Sequence, residues 1–326
     1  MQQSGSTCTG SRKHRGFTLI EMIVVMAIIA LLVAIVVPSL SKARVQAQST
    51  ECLAHLRELA RGWQMYTDEN DGVFVPHRMP RKEGLSASES LYDVGNGEKE
   101  RPRWPGVLSS QIGIPAFDQP DPMNNRQDYD GKVYACPTEP KWVDERNMGY
   151  GYNYQFLGNS RPGKSSSSRP TYFPVFQSAI KSPSGTVVFA DSMGTAAGYT
   201  PVSRKGFSSD DNDPARFANH GYTLDPPRLT PNADRAEEND RIRSAVDPRH
   251  GDKCNAVFMD THAENKRPRA LGYRLGKGDC YGESSADDTC RGIGSESSFE
   301  GTEEEKQATN RFFSGSGRDE DPVPRL

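Results

Sequence analysis

The stretch "RGFTLIEMIVVMAIIALLVAIVVPSLSKA", Arg15 to Ala43, dictates one long apolar helix. At 1.5 Å per residue, a helix over residues 17–40 is about 36 Å long, which exceeds the ~30 Å hydrocarbon thickness of a bilayer. We therefore predict a transmembrane helix over 17–40. Glu21 stands out within it, since a carboxylate in a membrane-spanning segment costs about 2.5–3.5 kcal/mol.

The flank before this helix sets its orientation. Arg12, Lys13 and Arg15 precede Phe17, and no acidic residue does. By the positive-inside rule, this flank stays in the cytoplasm and the rest of the chain is translocated, so we predict a single-pass membrane protein with an extracytoplasmic domain. A cleaved secretory signal peptide and a simple signal anchor are the alternatives, although the apolar run is about twice the length of a signal h-region.

The quoted stretch resembles the N-terminal signature of the type IV pilin and type II secretion pseudopilin superfamily, over roughly residues 12–70. The resemblance implies that prepilin peptidase removes residues 1–16 by cutting between Gly16 and Phe17, and that it N-methylates Phe17. It also implies a bacterial inner-membrane location with a periplasmic domain, a helix kink at Pro38 and an assembly role for Glu21. The expected partners are the peptidase, other pilin-like subunits, an inner-membrane assembly platform and membrane lipid.

Cleavage before Phe17 would give Glu21 a partner. The new α-amino group is a cation at neutral pH, because its reference pKa is about 7.7–8.0. A buried carboxylate is tolerable beside such a cation and strongly unfavourable alone. We therefore expect Glu21 to pair with the amine of its own or a neighbouring subunit and to set the register between subunits.

Residues 41–71 read as an amphipathic continuation of the helix, ended by the turn signal Asp71-Gly72. Its apolar stripe is predicted to pack on a soluble domain over 72–281. Short extended runs and a short helix near Trp104 predict an α+β fold with an antiparallel sheet, as in pilins. The predicted strands are Val73–Val75, Val133–Cys136, Tyr150–Tyr154, Tyr172–Phe176, Thr186–Ala190 and Asn255–Met259.

A second resemblance lies in "RHGDKCNAVFMDTHAE", Arg249 to Glu264. His250 and Asp260 match the His-x9-Asp-Gly module of large bacterial pseudopilin-like proteins, but Thr261 replaces the glycine. A β-branched residue resists the positive φ of a tight hairpin turn, so a wider turn is expected here. The segments "TVVFADS" and "NAVFMDT" predict two strands that end at Asp191 and Asp260.

The candidates for a metal site are Asp191, Asp260 and His262, together with His250. Their side chains suit a divalent ion such as calcium. Turn-forming Asp and surface His are commoner than metal ligands, so we predict no cofactor, with calcium as the alternative.

Two polar segments are predicted to carry little structure. Residues 203–247 contain very few large apolar side chains and read as a solvated insertion, and residues 282–326 read as a disordered tail. Cys8 would leave with the leader, which leaves an odd number of cysteines in a compartment that permits disulfides. Candidate pairs are Cys280 with Cys290 and Cys136 with Cys254, while Cys52 has no assigned partner.

The sequence predicts a structural subunit rather than an enzyme. It contains no Gly-x-Ser-x-Gly elbow, His-Glu-x-x-His, Walker A or dinucleotide motif. The net charge of −3 gives no sign of a nucleic-acid surface. A pseudopilin-like subunit, serving protein transport by type II secretion or a type IV pilus-like assembly, is the leading prediction. A membrane-anchored module that binds glycan or protein is the alternative.

Overall fold

The computed structural model describes residues 17–86, 89, 91–93, 99–100, 102–116, 131–138, 149–161, 171–204, 221–228, 232, 244–274, 283–284, 290–291 and 308–323. The chain divides into two compact units, residues 1–44 and residues 45–326. The predicted α+β class is confirmed: a long N-terminal helix is followed by a domain with a four-stranded antiparallel sheet.

The helices and strands follow in this order: α1 Leu19–Glu69, β1 Tyr92–Asp93, β2 Lys99–Glu100, α2 Trp104–Ile112, β3 Tyr150–Tyr152, α3 Tyr154–Leu157, β4 Ser160–Arg161, β5 Thr171–Tyr172, β6 Val187–Asp191, β7 Cys254–Phe258, β8 Ala263–Lys266, β9 Glu283–Ser284 and β10 Cys290–Arg291. The main sheet has the strand order β3-β6-β7-β8, and every neighbouring pair in it is antiparallel. Strands β1–β2, β4–β5 and β9–β10 form separate two-stranded pairs.

The second part of α1, from residue 45 onward, carries the predicted apolar stripe and covers one face of the main sheet. The buried positions include Cys52, Leu56, Leu59 and Trp63, at the spacing of three and four residues that defines one helical side. Trp63 Nε1 donates a hydrogen bond to the Tyr152 hydroxyl in β3, at 3.1 Å. The helix ends at Glu69, where Asp71 and Gly72 both have positive φ, as the turn signal predicts.

A second buried cluster lies on the other face of the same sheet. Ala190 of β6 and Phe258 of β7 belong to it, together with Leu224, Leu271 and Phe313. The neighbouring strand residues Phe189 and Val257 belong instead to the cluster that contains α1, as the alternation of side chains along a strand requires. Strands β3, β6 and β7 are therefore buried on both faces of the sheet, whereas the edge strand β8 is partly exposed.

Several predicted strands take another form. Val133–Cys136 is not a strand, because Lys132–Tyr134 forms a 3-10 helix whose Tyr134 hydroxyl donates to Pro105 O. Val73–Val75 contributes only one isolated bridge, between Val73 and Phe176. Phe74, Val75, Val133 and Tyr134 are all buried, but burial alone does not make a strand. Strand β8 is absent from the predicted set, because it is polar and partly exposed.

The turn after β7 is one residue longer than a two-residue hairpin turn, but its Thr261 takes the positive φ that a β-branched residue is expected to resist. The Phe258 N–H donates to His262 O and the Thr261 N–H donates to Phe258 O, both at 2.9 Å, so Met259–Thr261 is a three-residue hairpin loop. Thr261 has φ 69°, in the left-handed region where such loops usually place glycine.

Parts of the two segments predicted to lack structure pack into the domain. In the predicted insertion, Leu224 and Asp225 are fully buried, although residues 205–220 and most of 229–243 lie outside the described residues. In the predicted tail, Phe313 is fully buried, and the Val187 N–H donates to Phe312 O at 2.8 Å. The disordered-tail prediction is therefore wrong for residues 308–323.

The cysteine pairing also differs from the expectation. Cys52 of α1 forms a disulfide with Cys136, with a Cα–Cα distance of 5.4 Å. Cys254, the expected partner of Cys136, is a buried free thiol in β7. Its side chain belongs to the cluster on the opposite face of the sheet from Cys136, which explains why the two do not pair. The proposed pairing of Cys280 with Cys290 involves Cys280, which lies outside the described residues.

Candidate processing site and buried cluster

The N-terminal helix begins with a capping box. The Thr18 N–H and hydroxyl both donate to Glu21 Oε2 at 2.8 Å, and the Glu21 N–H donates to Thr18 Oγ1 at 3.3 Å. Thr18 is the residue before the helix and Glu21 is its third residue, which is the Thr-x-x-Glu spacing of this motif. The Glu21 carboxylate therefore satisfies the N–H of the N-cap residue, and Thr18 satisfies the Glu21 N–H in return.

This arrangement makes Thr18 a site residue that the sequence-based predictions do not include. The signal was present as the letters Thr-x-x-Glu at the start of an apolar run. A carboxylate at a helix N-terminus is also stabilised by the helix dipole. The unfavourable free energy of Glu21 in an apolar helix is thus partly offset before any other subunit is considered.

The part of α1 from Leu19 to Leu40 exposes apolar side chains on all sides. Phe17 is 74% exposed, and the large apolar side chains from Leu19 to Leu40 are 45% to 75% exposed. By length and composition the helix is able to cross a membrane. An apolar helix with no polar side requires lipid or other apolar helices around it.

The remaining processing residues have different outcomes. Gly16 lies outside the described residues, so the cleavage position stays a prediction. Pro38 lies inside α1, and the helix continues beyond it to Glu69. The kink at Pro38 also stays a prediction.

The antiparallel register separates the residues proposed as a metal site. Residues at the end of β6 pair with the start of β7, since Ala190 lies opposite Ala256 and Val187 lies opposite Phe258. Asp191 therefore lies at one end of the strand pair and Asp260 at the other. His250 contacts Asp191, whereas His262 contacts Asp260. The residues predicted as metal ligands therefore do not converge on one point.

His250 and Asp191 form a buried pair. His250 Nε2 is 3.3 Å from Asp191 Oδ2, and neither side chain is exposed. The Asn255 N–H also donates to Asp191 Oδ2, at 2.6 Å. Burial lowers the pKa of His250 to about 4, and the neighbouring Arg249 guanidinium adds to the effect. His250 is therefore neutral near pH 7.

The Cys52–Cys136 disulfide adjoins this pair. His250 Nε2 is 3.5 Å from Cys136 Sγ, and Thr138 Oγ1 is 3.4 Å from His250 Nδ1. Within the part of the chain that the structure describes, Cys52, Cys136 and His250 are the group whose ligand atoms lie close enough to hold a metal ion. The sequence indicates His250 but does not connect it to the cysteines, which are far from it along the chain.

Asp260 and His262 lie at the exposed tip of the β7–β8 hairpin. His262 Nδ1 contacts Asp260 Oδ1, and His262 Nε2 is 3.1 Å from Glu264 Oε1. The imidazole also stacks on Phe258, with ring centroids 4.4 Å apart. Both ring nitrogens are engaged by carboxylates of the same hairpin, which makes this a hydrogen-bonded cluster that holds the hairpin tip.

Comparisons with known proteins find likeness in the N-terminal segment. Residues 11–37 match a family model described as the prokaryotic N-terminal methylation motif. Over 60 residues the chain is 42% identical to the type IV wide pilus major component PilA4 of Thermus thermophilus. That alignment covers 18% of this chain and 46% of PilA4, about half of that relative's length. No solved structure gives a significant match. The chain therefore carries a prepilin-type N-terminal segment similar to that of a type IV pilin.

Proposed function

We propose that this protein is a pilin-like structural subunit of a bacterial envelope filament, either a type IV pilus or a type II secretion pseudopilus. The observation that carries the proposal is the N-terminal helix, which combines a methylation motif with an apolar surface exposed on all sides. In this proposal the helix first anchors the subunit in the inner membrane and then packs against the helices of other subunits. The domain from residue 45 onward is the periplasmic part.

Processing by prepilin peptidase is the first step of the proposal. Cleavage between Gly16 and Phe17 would expose an α-amino group next to Thr18. The Thr18 N–H belongs to the peptide bond that follows Phe17, so the capping box survives the cut. Because Thr18 holds Glu21 Oε2 at 2.8 Å, the carboxylate faces the end of the helix where the new ammonium forms.

The processing step predicts the mature N-terminus. Mass spectrometry of the chain purified from its native membrane should show a protein that begins with N-methylated Phe17. The control is Gly16→Leu, which should retain residues 1–16 because a large side chain replaces the glycine expected at the cut. Native protein that keeps residues 1–16 would contradict the assignment.

The assembly step predicts a role for the charge of Glu21. Glu21→Gln keeps a side chain that can cap the helix but removes the charge, whereas Glu21→Val removes both. If the carboxylate pairs with a subunit's ammonium, both variants should be cleaved normally and both should lose most filament incorporation, measured by shearing and immunoblotting. Thr18→Val, which weakens only the cap, should incorporate better than either. Normal incorporation of Glu21→Gln would reduce the role of Glu21 to helix capping.

The same measurements test the alternative of a membrane-anchored module that binds glycan or protein. A simple anchor needs an apolar helix but has no need for Glu21, so the unaltered chain and both Glu21 variants would stay in the membrane equally and be absent from the sheared filaments. The Glu21 result thus distinguishes a filament subunit from an anchored module.

A further inference from the structure

Cys52 and Cys136 form a buried group with His250. A disulfide needs no neighbouring histidine, so the imidazole gives this group a third potential metal ligand. The three residues come from α1, from the segment after a 3-10 helix and from the turn before β7, and all three are buried. Their ligand atoms lie within 4.8 Å of one another. Tetrahedral zinc with bond lengths of about 2.0–2.3 Å places its ligand atoms about 3.5–3.8 Å apart. The 3.5 Å between His250 Nε2 and Cys136 Sγ already has this spacing, whereas the two bonded sulfurs reach it only after the disulfide is broken and they move apart.

Reduction of the disulfide would convert this group into a set of metal ligands. A dithiol reductant supplies two electrons and two protons, becomes a disulfide itself, and leaves Cys52 and Cys136 as thiols. A divalent ion then replaces the two thiol protons, which are released to solvent. Two thiolates and one dication carry no net charge, so the ion can occupy a buried position without leaving an unbalanced charge there.

The donor set selects a particular class of ion. Thiolate and imidazole ligands favour Zn²⁺ and similar soft or borderline ions, whereas Ca²⁺ takes oxygen ligands. The fourth position of a tetrahedral ion is available to water or to Asp191, whose Oδ2 is 3.3 Å from His250 Nε2. The Asn255 N–H already donates to that carboxylate, which holds it in place as outer hydrogen bonds do in metal sites.

We propose that Cys52, Cys136 and His250 form a redox-gated site for Zn²⁺ or a similar transition-metal ion. The site is closed when Cys52 and Cys136 form their disulfide and available when they are thiols, before oxidation or after reduction. The proposal is independent of filament assembly.

The test uses the detergent-solubilised full-length chain with Cys8→Ser, Cys280→Ser and Cys290→Ser, so that Cys52, Cys136 and Cys254 are the remaining cysteines. The chain is reduced with a dithiol, freed of reductant without oxygen, and titrated with Co²⁺ and then Zn²⁺. The reduced chain should bind one ion, with sulfur-to-cobalt charge-transfer absorption that Zn²⁺ displaces. The oxidised chain should bind none. No stoichiometric binding by the reduced chain, or equal binding by the oxidised chain, would refute the site.

Matched variants identify the ligands. Cys136→Ser and His250→Asn should each weaken Zn²⁺ binding by at least about tenfold. Cys254→Ser and His262→Asn are the controls and should leave Zn²⁺ binding unchanged. Cys254→Ser removes the free thiol on the other face of the sheet, and His262→Asn removes the histidine at the hairpin tip. His250→Cys should restore binding with stronger charge-transfer absorption, because a third thiolate replaces the imidazole. Full affinity in Cys136→Ser or His250→Asn would overturn the assignment.

Folding of the reduced chain is followed by near-ultraviolet circular dichroism. If reduction unfolds the domain, stoichiometric Zn²⁺ should restore the native spectrum, because metal binding and folding are coupled. A reduced chain that stays unfolded in excess Zn²⁺ would also refute the proposal.

Discussion

Thr261 is the residue at which the sequence departs from the His-x9-Asp-Gly pattern, and it adopts the backbone conformation that a glycine favours. Its φ is 69°, at the third position of the loop between β7 and β8. The left-handed conformation costs an L-residue about 1–2 kcal/mol, and the β-branched side chain makes it less favourable still. The hairpin register and the stack of His262 on Phe258 hold the turn in spite of that cost.

Thr261→Gly should therefore stabilise the domain. We expect the free energy of unfolding to rise by about 1 kcal/mol, since relief of the strained φ exceeds the added chain entropy of glycine in the unfolded state. Denaturant unfolding of the detergent-solubilised chain measures the change. Thr261→Ala is the matched control and should gain less, because it removes the β-branch but keeps a Cβ. A loss of stability in Thr261→Gly would show that the turn is not strained.

At the scale of elements, strand direction decides which candidate residues meet. Asp191 and Asp260 follow two similar strand sequences, and that similarity groups them as candidates for one site. Because β6 and β7 are antiparallel, their ends lie at opposite edges of the sheet, and Asp191 meets His250 instead. The pairing of Cys52 with Cys136 likewise depends on which side of α1 faces the domain.

The disulfide should contribute substantially to the attachment of α1. It closes a loop with a sequence separation of 84 residues, and a native disulfide typically contributes about 2–4 kcal/mol. Cys52→Ala with Cys136→Ala should lower the free energy of unfolding by about 3 kcal/mol, measured with a chelator present. Cys254→Ala removes a buried thiol without breaking a cross-link and should cost about 1 kcal/mol. Equal losses in the two variants would mean that the cross-link itself adds nothing.

At the scale of the whole domain, the C-terminal segment completes the core on the second face of the sheet. Phe313 is fully buried edge-on against Tyr273, with ring centroids 5.7 Å apart. Its carbonyl accepts a hydrogen bond from Asn153 Nδ2 at 2.9 Å. Asn310 is held in a reciprocal pair with the backbone of Arg228, at 2.8 and 2.9 Å.

Phe313→Ala tests the contribution of this segment. Loss of a fully buried aromatic ring should lower the free energy of unfolding by about 3–5 kcal/mol. The control is the adjacent Phe312→Ala, which removes a ring that is only partly buried and should cost about 1 kcal/mol. Denaturant unfolding of both variants compares them directly. Similar small losses would show that the segment is dispensable for the fold.

Local periodicity and composition are enough to predict several features of this protein. Three of these features depend only on residues that are neighbours in sequence: the apolar run from Phe17 to Leu40, the amphipathic stripe through Leu56 and Trp63, and the turn after Glu69. A helix and its boundaries are therefore predictable without a structure. The α+β class and the strands β6 and β7 follow from the same local patterns.

Which distant residues come into contact depends instead on the tertiary structure. Three contacts bring together segments that are far apart along the chain. They are the disulfide between Cys52 and Cys136, the contact of His250 with that disulfide, and the packing that buries Phe313. Their proximity depends on strand order and on which helix side faces the sheet, and local composition carries neither. A polar segment such as residues 308–323 reads as disordered because its few apolar side chains become a core only when the rest of the domain supplies the surface that buries them.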